Sequence, residues 1–242
     1  MGLIDDNLKA LEQRISRACD KYGRQRNEIT VLAVTKTVGA EKVKEAINAG
    51  LTHFGENRVQ EAANKIPMME KSEKAITWHM IGHLQTNKVK QALKMFDVIE
   101  SVDTQKLARV IAREAENSGQ AKKILLEVNS SGETSKFGFD PRELTGSAKE
   151  INRMAGLELC GLMTVGPWAD DSRRIDEAFN LTRDLFVRLK ADLGDKIKIL
   201  SMGMSADLEH AIKYGATELR IGSAIFGPKE TPAITSGGPG EH

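Results

Sequence analysis

The chain has 242 residues, with 35 lysines and arginines against 34 aspartates and glutamates, which gives a formal net charge of +1. This balance argues against a protein that binds nucleic acid through a basic surface. Cys19 and Cys160 are too few for a disulfide scaffold and fit a reducing compartment. No apolar run approaches the ~18 residues of a membrane-spanning helix, and the N-terminus is acidic where a secretory signal is basic. We therefore expect a cytoplasmic protein without nucleic-acid or membrane partners.

The first predicted element is an amphipathic helix over residues 4–22, in which Leu8, Leu11 and Ile15 recur at the spacing of one helix face. Beyond it, short apolar runs alternate with stretches of helical periodicity. Eight runs are predicted strands, at residues 31–34, 52–54, 76–81, 98–101, 124–128, 157–163, 197–200 and 218–221. The helical stretches between them cover residues 40–49, 57–70, 104–117, 140–153, 171–191 and 205–214. This alternation predicts parallel βαβ units.

The fold that follows from this count is an α/β barrel. Eight βαβ units in about 250 residues match the (β/α)8 barrel, although a doubly wound sheet shows the same alternation of strands and helices. The strand count favours the barrel. We predict a single (β/α)8 TIM barrel with an extra N-terminal helix over residues 1–234. A disordered tail is predicted over residues 235–242, which lack the apolar content to order them.

Polar residues follow several predicted strands, where the active groups of such barrels lie. Lys36 ends the apolar first strand, so we expect it to be partly buried at the barrel mouth. Burial and a cationic neighbour such as Arg220 would lower the pKa of its amine and favour the nucleophilic neutral form. The alternative is a lysine that only extends to solvent at the end of its strand.

The loops after the last two strands have the composition of an anion site. Ser201, Gly203 and Ser205 lie in a turn before a predicted helix, and Gly222 and Ser223 could open another short helix. Loops at these two places form the usual phosphate site of the barrel, and helix N-termini offer free N–H groups to anions. Ordinary turn and helix-capping chemistry is the alternative.

Two further motifs do not fit the functions that they suggest. Residues 222–229 resemble a phosphate-binding P-loop, but Pro228 displaces the lysine from its place. His79 and His83 have the spacing of a zinc-binding helix, but Met80 stands where the metalloprotease glutamate belongs, and the pair spans a strand end. We therefore expect no metal site.

Several motifs of this sequence match those of a known family. The matching motifs are residues 32–36 (LAVTK), 54–61 (FGENRVQE), 78–88 (WHMIGHLQTNK), 132–138 (GETSKFG), 161–164 (GLMT), 200–205 (LSMGMS) and 220–227 (RIGSAIFG). The sequence resembles the pyridoxal phosphate homeostasis proteins, whose barrel is similar to the N-terminal domain of bacterial alanine racemase. The motifs extend from residue 32 to residue 227, so the resemblance covers nearly the whole predicted barrel.

The resemblance implies a site for pyridoxal 5′-phosphate (PLP) built from these motifs. Lys36 would hold PLP as an internal aldimine, and Arg220 would face the pyridine nitrogen. The residues implied to bind the phosphate are Ser205, Gly222 and Ser223. The residues implied to line the rest of the cofactor are Asn57, His83, Ser201 and Met204.

The resemblance also bears on the choice between a carrier and an enzyme. The related racemase uses a second acid/base, a tyrosine from an additional β-domain, whereas the tyrosines here are Tyr22 and Tyr214, neither of them predicted at the mouth. We therefore expect a protein of PLP homeostasis that stores, buffers or delivers the cofactor without catalytic turnover, with PLP-requiring apo-enzymes as recipients. We expect a monomer, because the domain that completes the related dimer is not in this sequence. The alternatives are a single-domain PLP-dependent amino-acid racemase and an aldolase that uses Lys36 without cofactor.

Release of the cofactor needs a second amine to exchange with Lys36. Lys136 lies on the long loop after the fifth predicted strand, on the same barrel face as Lys36 and among small residues. Its amine could approach bound PLP and take part in this exchange. The alternative is a solvated loop lysine.

Overall fold

Eight parallel strands form a closed barrel in the computed structural model, which describes residues 2–69, 75–133, 136–167 and 171–228. The strands are β1 (Thr30–Val34), β2 (His53–Glu56), β3 (Thr77–Met80), β4 (Val98–Val102), β5 (Lys122–Glu127), β6 (Leu157–Met163), β7 (Ile199–Ser201) and β8 (Glu218–Ile221). They pair in chain order, and β1 also pairs with β8, where Leu32 lies opposite Arg220. Since this last pairing closes the sheet, the predicted TIM barrel is confirmed and the doubly wound alternative is wrong.

Helices follow the strands around the outside of the barrel. The described helices are α1 (Leu3–Tyr22), α2 (Ala40–Asn48), α3 (Val59–Lys65), α4 (Val89–Ala92), α5 (Gln105–Ser118), α6 (Leu144–Ile151), α7 (Ser172–Leu193), α8 (Leu208–Lys213) and α9 (Ser223–Phe226). The extra N-terminal helix and the short helix after β8 are confirmed. The sequence did not predict α4, because its four residues are too few to show a helical period.

The main apolar core joins buried strand residues such as Ile99 with buried helix residues such as Ile111, so it lies between the sheet and the helices around it. None of the described helices is long and apolar enough to cross a membrane. The predicted tail, residues 235–242, lies outside the described residues.

The N-terminal helix is tied to the last two loops of the barrel. Arg14 on α1 pairs with Glu209 on α8, with 2.5 Å between Nε and Oε1, and it also donates from Nη1 to the Ser205 carbonyl oxygen at 2.8 Å. Asn7 on the same helix donates to the Ile225 carbonyl oxygen on α9 at 2.9 Å. Helix α1 therefore helps to fix the segments that follow β7 and β8.

The inside of the barrel is polar in its central part, although barrels of this kind are usually filled with branched apolar side chains. Ser201 on β7 donates from Oγ to Glu100 on β4 at 2.6 Å. Because β4 and β7 are not neighbours in the sheet, this hydrogen bond crosses the barrel interior. His79, Glu218 and Arg220 are also buried there. His79 contacts Glu100 and Glu218, and Arg220 donates to Ser201.

Candidate cofactor site

The carboxyl ends of β1 and β8 meet in one corner of the barrel mouth. A Cβ atom on Gly222 would lie 3.6 Å from the carbonyl oxygen of Val34, the last residue of β1. Ser205 joins this corner from the loop after β7, because its hydroxyl accepts a hydrogen bond from the Ala224 N–H at 3.2 Å. The corner thus brings together the segments that contain Lys36, Ser205, Gly222 and Ser223.

The loop after β7 differs from its prediction. Helix α8 begins at Leu208, so Ser205 does not stand at a helix N-terminus. The Asp207 side chain accepts a hydrogen bond from the Met204 N–H at 2.6 Å, which holds residues 204–207 in a turn before the helix. Met204 itself is partly exposed on this turn. At the corner, the N–H groups at a helix start belong to α9, whose first residue is Ser223.

Lys36 lies above the barrel wall and is exposed, so the expectation of partial burial was wrong. The reason is its position two residues beyond β1, in a turn that the Val38 N–H closes by donating to the Thr35 carbonyl oxygen at 2.9 Å. In this turn Thr37 has φ 63°, in the left-handed region that β-branched residues rarely adopt. Such a conformation costs about 1–3 kcal/mol and persists only where its surroundings hold it.

Ser201, which ends β7, and Thr164, which follows β6, hold the Arg220 guanidinium inside the barrel. Its Nη1 donates to Ser201 Oγ at 2.8 Å, and its Nη2 donates to the Thr164 carbonyl oxygen at 2.7 Å. Ser201 is fully buried, and its hydroxyl donates to Glu100 Oε2. The other oxygen of this carboxylate, Oε1, lies 2.7 Å from His79 Nδ1. A chain of hydrogen bonds therefore runs from β8 across the barrel to β3.

Hydrogen bonds decide the protonation of this buried group. Burial acts to raise the pKa of Glu100, but the hydrogen bond and charge of His79 outweigh it and hold that pKa below its ordinary value. Burial acts to lower the pKa of His79, and Glu100 reverses this and raises it. Burial and the charge of Glu100 raise the pKa of Glu218 to about 8. At neutral pH, Glu100 is therefore ionised and Glu218 keeps its proton, while the neighbouring Glu100 carboxylate favours the charged form of His79.

The same three side chains form a group of metal-ligand type within the described part of the chain. Ligand atoms of His79, Glu100 and Glu218 lie within 4.8 Å of one another. A cation there would have to displace the proton of Glu218, and it would be repelled by Arg220, whose charge acts on Glu100. These charges favour the hydrogen-bonded group over a metal centre. His83 does not join it, because its Nδ1 pairs instead with Asp103 at 2.9 Å.

His83 and Asn57 lie on neighbouring loops at the mouth. The His83 ring stacks on Phe137 with 3.9 Å between the ring centroids. A Cβ atom on Gly82 would lie 2.4 Å from the Asn57 carbonyl oxygen, so the close packing of these loops requires glycine there. Asn57 Oδ1 is buried and has no hydrogen-bond partner among the described residues. It is an unsatisfied acceptor buried between the loops of the mouth.

Glu127, which ends β5, adds a titrating group to the site. Burial and the charge of Asp103 raise the pKa of Glu127 to about 7, while Arg220 acts in the opposite direction. Glu127 therefore changes its charge near neutral pH, within electrostatic reach of Arg220.

Lys136 is engaged in protein contacts, unlike the open loop lysine that the sequence suggested. Its Nζ donates to the Gly166 carbonyl oxygen, on the loop after β6, at 2.9 Å, and it lies 3.1 Å from Glu133 Oε1. The two residues before it, 134 and 135, lie outside the described residues. Its predicted part in cofactor exchange stays a prediction.

Comparison with known proteins gives the family of this barrel. A family model described as "Alanine racemase, N-terminal domain" matches residues 7–230. The chain is 37% identical over 228 residues to the pyridoxal phosphate homeostasis protein of Pasteurella multocida, covering 94% of this chain and 98% of that one. It is 36% identical over 238 residues to the human protein of the same name, covering 92% of this chain and 86% of that one.

The chain belongs to the pyridoxal phosphate homeostasis protein family. The resemblance found in the sequence motifs is thereby confirmed. Solved structures agree with the assignment. PipY of Synechococcus elongatus, described with PLP bound, is 31% identical with a TM-score of 0.80, covering 93% of this chain and all of that one. An alanine racemase of Clostridium difficile, at 16% identity and a TM-score of 0.72, shares the fold.

The sequence placed polar residues at the mouth of this homeostasis-family barrel but did not single out the charged residues buried below it, Glu100 and Lys65. The sequence held a signal for Glu100, because this charged residue stands among apolar residues of a buried strand. Such a residue needs a buried partner.

Proposed function

We propose that this chain binds PLP and acts in the homeostasis of that cofactor, by storing, buffering or delivering it. The observation that carries the proposal is identity of about 37%, over nearly the full length of both chains, to proteins named for that function. The related structure described with PLP bound supports the choice of ligand.

The corner between β1 and β8 suits the chemical groups of PLP. When bound, PLP supplies an aldehyde that can condense with an amine, and Lys36 offers an amine two residues beyond Val34, which packs against Gly222. The Ser223 N–H, the first of α9, and the Ser205 hydroxyl are the donors that we propose for the phosphate, since the Ala224 and Ile225 N–H groups donate within the protein. We propose Ser205, Gly222 and Ser223 as its binding residues.

Arg220 suits the pyridine nitrogen. A guanidinium can only donate hydrogen bonds and does not give up its proton, so it pairs with an unprotonated ring nitrogen. Two of its N–H groups are used by Ser201 and Thr164, which leaves others for a ligand. Ser201 thus supports the site from below. Asn57 Oδ1, His83 and Met204 complete the proposed lining of the mouth.

The arrangement supports a carrier without catalytic turnover. Both tyrosines of the sequence precede strands, Tyr22 before β1 and Tyr214 before β8, so they lie toward the barrel end opposite the mouth. Neither can serve as the second acid/base of a racemase at Lys36.

We also propose that PLP-requiring apo-enzymes receive the cofactor from a monomer of this protein. We propose a cytoplasmic location, which the free, buried thiols of Cys19 and Cys160 support.

The visible absorption spectrum tests the proposal. Addition of PLP should produce a band in the imine region that borohydride abolishes, and the loaded protein should not racemise amino acids. Absence of the band would refute PLP binding through an amine. Racemisation that depends on Lys36 would favour the racemase alternative.

A further inference from the structure

A second lysine, Lys65, is buried and contacts the backbone of Thr35, the residue before Lys36. Lys65 is the last residue of α3, and its side chain is only 10% exposed. Its Nζ donates to the Thr35 carbonyl oxygen at 2.7 Å and to Glu56 Oε1 at 2.5 Å. A buried ion pair adds little stability by itself, because desolvation of both charges opposes their attraction. The placement of this pair therefore calls for another explanation.

Thr35, the residue before Lys36, is fixed at each of its polar groups. Its N–H donates to the Gly55 carbonyl oxygen at 3.0 Å, and its hydroxyl donates to Glu56 Oε1 at 2.6 Å. Its carbonyl oxygen accepts from Lys65, and the residue is fully buried. Contacts from β2 and α3 therefore set the direction in which the chain leaves β1.

The turn that presents Lys36 needs this support. Among the described residues other than glycine, only Thr37 has a positive φ. The Thr35 carbonyl oxygen that closes the turn, by accepting from Val38, is the same oxygen that Lys65 contacts. The Thr37 N–H also points to Glu61 Oε2 on α3, at 3.4 Å. Loss of the Lys65 contact would let this strained turn relax and displace Lys36.

We propose that Lys65, paired with Glu56, positions Lys36 for condensation with the aldehyde of PLP. This inference rests on the proposed function. In the condensation, the Lys36 nitrogen bonds to the aldehyde carbon and the aldehyde oxygen leaves as water, so no oxidant or reductant is needed. Lys65 acts through the Thr35 carbonyl and the turn, and it is therefore a positioning residue rather than a catalytic one.

The test compares the affinities of PLP and of 4-deoxypyridoxine 5′-phosphate, which keeps the ring and the phosphate but has a methyl group in place of the aldehyde. Lys65→Met alone leaves the Glu56 carboxylate buried without its cation and can fail to fold. The main variant is therefore the double change Lys65→Met with Glu56→Gln, which removes both charges and keeps an oxygen to accept from Thr35. We expect PLP affinity to fall about 10- to 100-fold, while that of the analogue stays nearly constant.

Lys122→Met is the matched control. Lys122 is another partly buried lysine whose Nζ donates to two carbonyl oxygens, those of Leu93 and Phe96, at the start of β5. It should leave the ratio of the two affinities unchanged. An unchanged ratio in the double variant would overturn the proposal, as would equal weakening of both ligands, since that would show collapse of the whole corner. If the wild-type protein showed no preference for PLP over the analogue, the proposed function itself would fail.

Discussion

The Ser201 hydroxyl on β7 accepts a 2.8 Å hydrogen bond from Arg220 and donates a 2.6 Å hydrogen bond to Glu100, on the far side of the barrel. One hydroxyl therefore joins the guanidinium near the mouth to the charged group below it. The position of Arg220 depends on this link and on the Thr164 carbonyl oxygen.

Ser201→Ala should destabilise the protein and weaken PLP binding, because it removes both hydrogen bonds and leaves Glu100 with one donor fewer. Charge-assisted hydrogen bonds of this kind are worth about 1.5–3 kcal/mol, and we expect the free energy of unfolding to fall by about that amount. Urea unfolding and PLP titration measure the two effects. Ser118→Ala, which removes a hydroxyl bonded to the Ala115 carbonyl oxygen at the end of α5, is the control. A loss no larger than in this control would contradict the prediction.

Glu218→Gln should make the stability of the protein less dependent on pH between about pH 5 and about pH 8. The folded state raises the pKa of Glu218 from 4.5 to about 8, so it keeps a proton that the unfolded chain gives up. Between pH 4.5 and about pH 8, the folded state therefore loses stability as pH rises, by up to about 1.4 kcal/mol per pH unit. The variant lacks this loss and should gain about 1–4 kcal/mol relative to wild type between about pH 5 and about pH 8.

Urea unfolding at several pH values measures this difference. The exposed Glu45 on α2 provides the control Glu45→Gln, which should follow the wild-type profile. A difference between the Glu218 variant and wild type that stays constant over this range would show that Glu218 does not keep its proton in the fold.

The sequence was sufficient for the barrel because alternation and strand count depend on local patterns. The location of Lys36, Ser205 and Gly222 at the mouth was predictable for a similar reason, since each follows a strand and the carboxyl ends of barrel strands meet at one face. The exposure of Lys36 was not predictable, because Lys36 lies in a turn whose Thr35 carbonyl oxygen accepts a hydrogen bond from Lys65. Thr35 and Lys65 are 30 residues apart in the chain.

The polar chain inside the barrel was also beyond sequence reasoning. Ser201 and Glu100 are 101 residues apart and lie on strands that are not neighbours, so no spacing rule joins them. The start of α8 was misplaced because Ser205 is a good helix cap by residue type. In the structure, the Asp207 side chain accepts from the Met204 N–H and holds residues 204–207 in a turn, so the helix begins at Leu208.

Ser205→Ala should weaken PLP much more than pyridoxal, which lacks the phosphate. The Ser205 oxygen accepts from the Ala224 N–H, which leaves its O–H to donate to an anion. Loss of one charge-assisted hydrogen bond corresponds to about 10- to 150-fold in affinity. Titration with both ligands measures the effect, and equal weakening of the two would contradict the assignment of Ser205 to the phosphate.

Lys136→Ala should bind PLP as tightly as wild type but transfer it more slowly to an apo-enzyme. In the structure its amine is held by Gly166 and Glu133, so it has to leave these contacts to reach the cofactor. Stopped-flow transfer at saturating acceptor gives the rate, with Lys106→Ala on the exposed side of α5 as control. Identical transfer rates in the Lys136 variant and the control would leave Lys136 as a loop contact only.

The proposed function depends on Lys36 as the residue that holds the cofactor. Reduction of the PLP-loaded protein with borohydride, followed by peptide mass mapping, identifies the lysine that holds PLP. We expect the pyridoxyl adduct on the peptide that contains Lys36 and loss of the imine absorption band in Lys36→Ala. An adduct mainly on another lysine, with the band retained in Lys36→Ala, would show that Lys36 does not hold PLP.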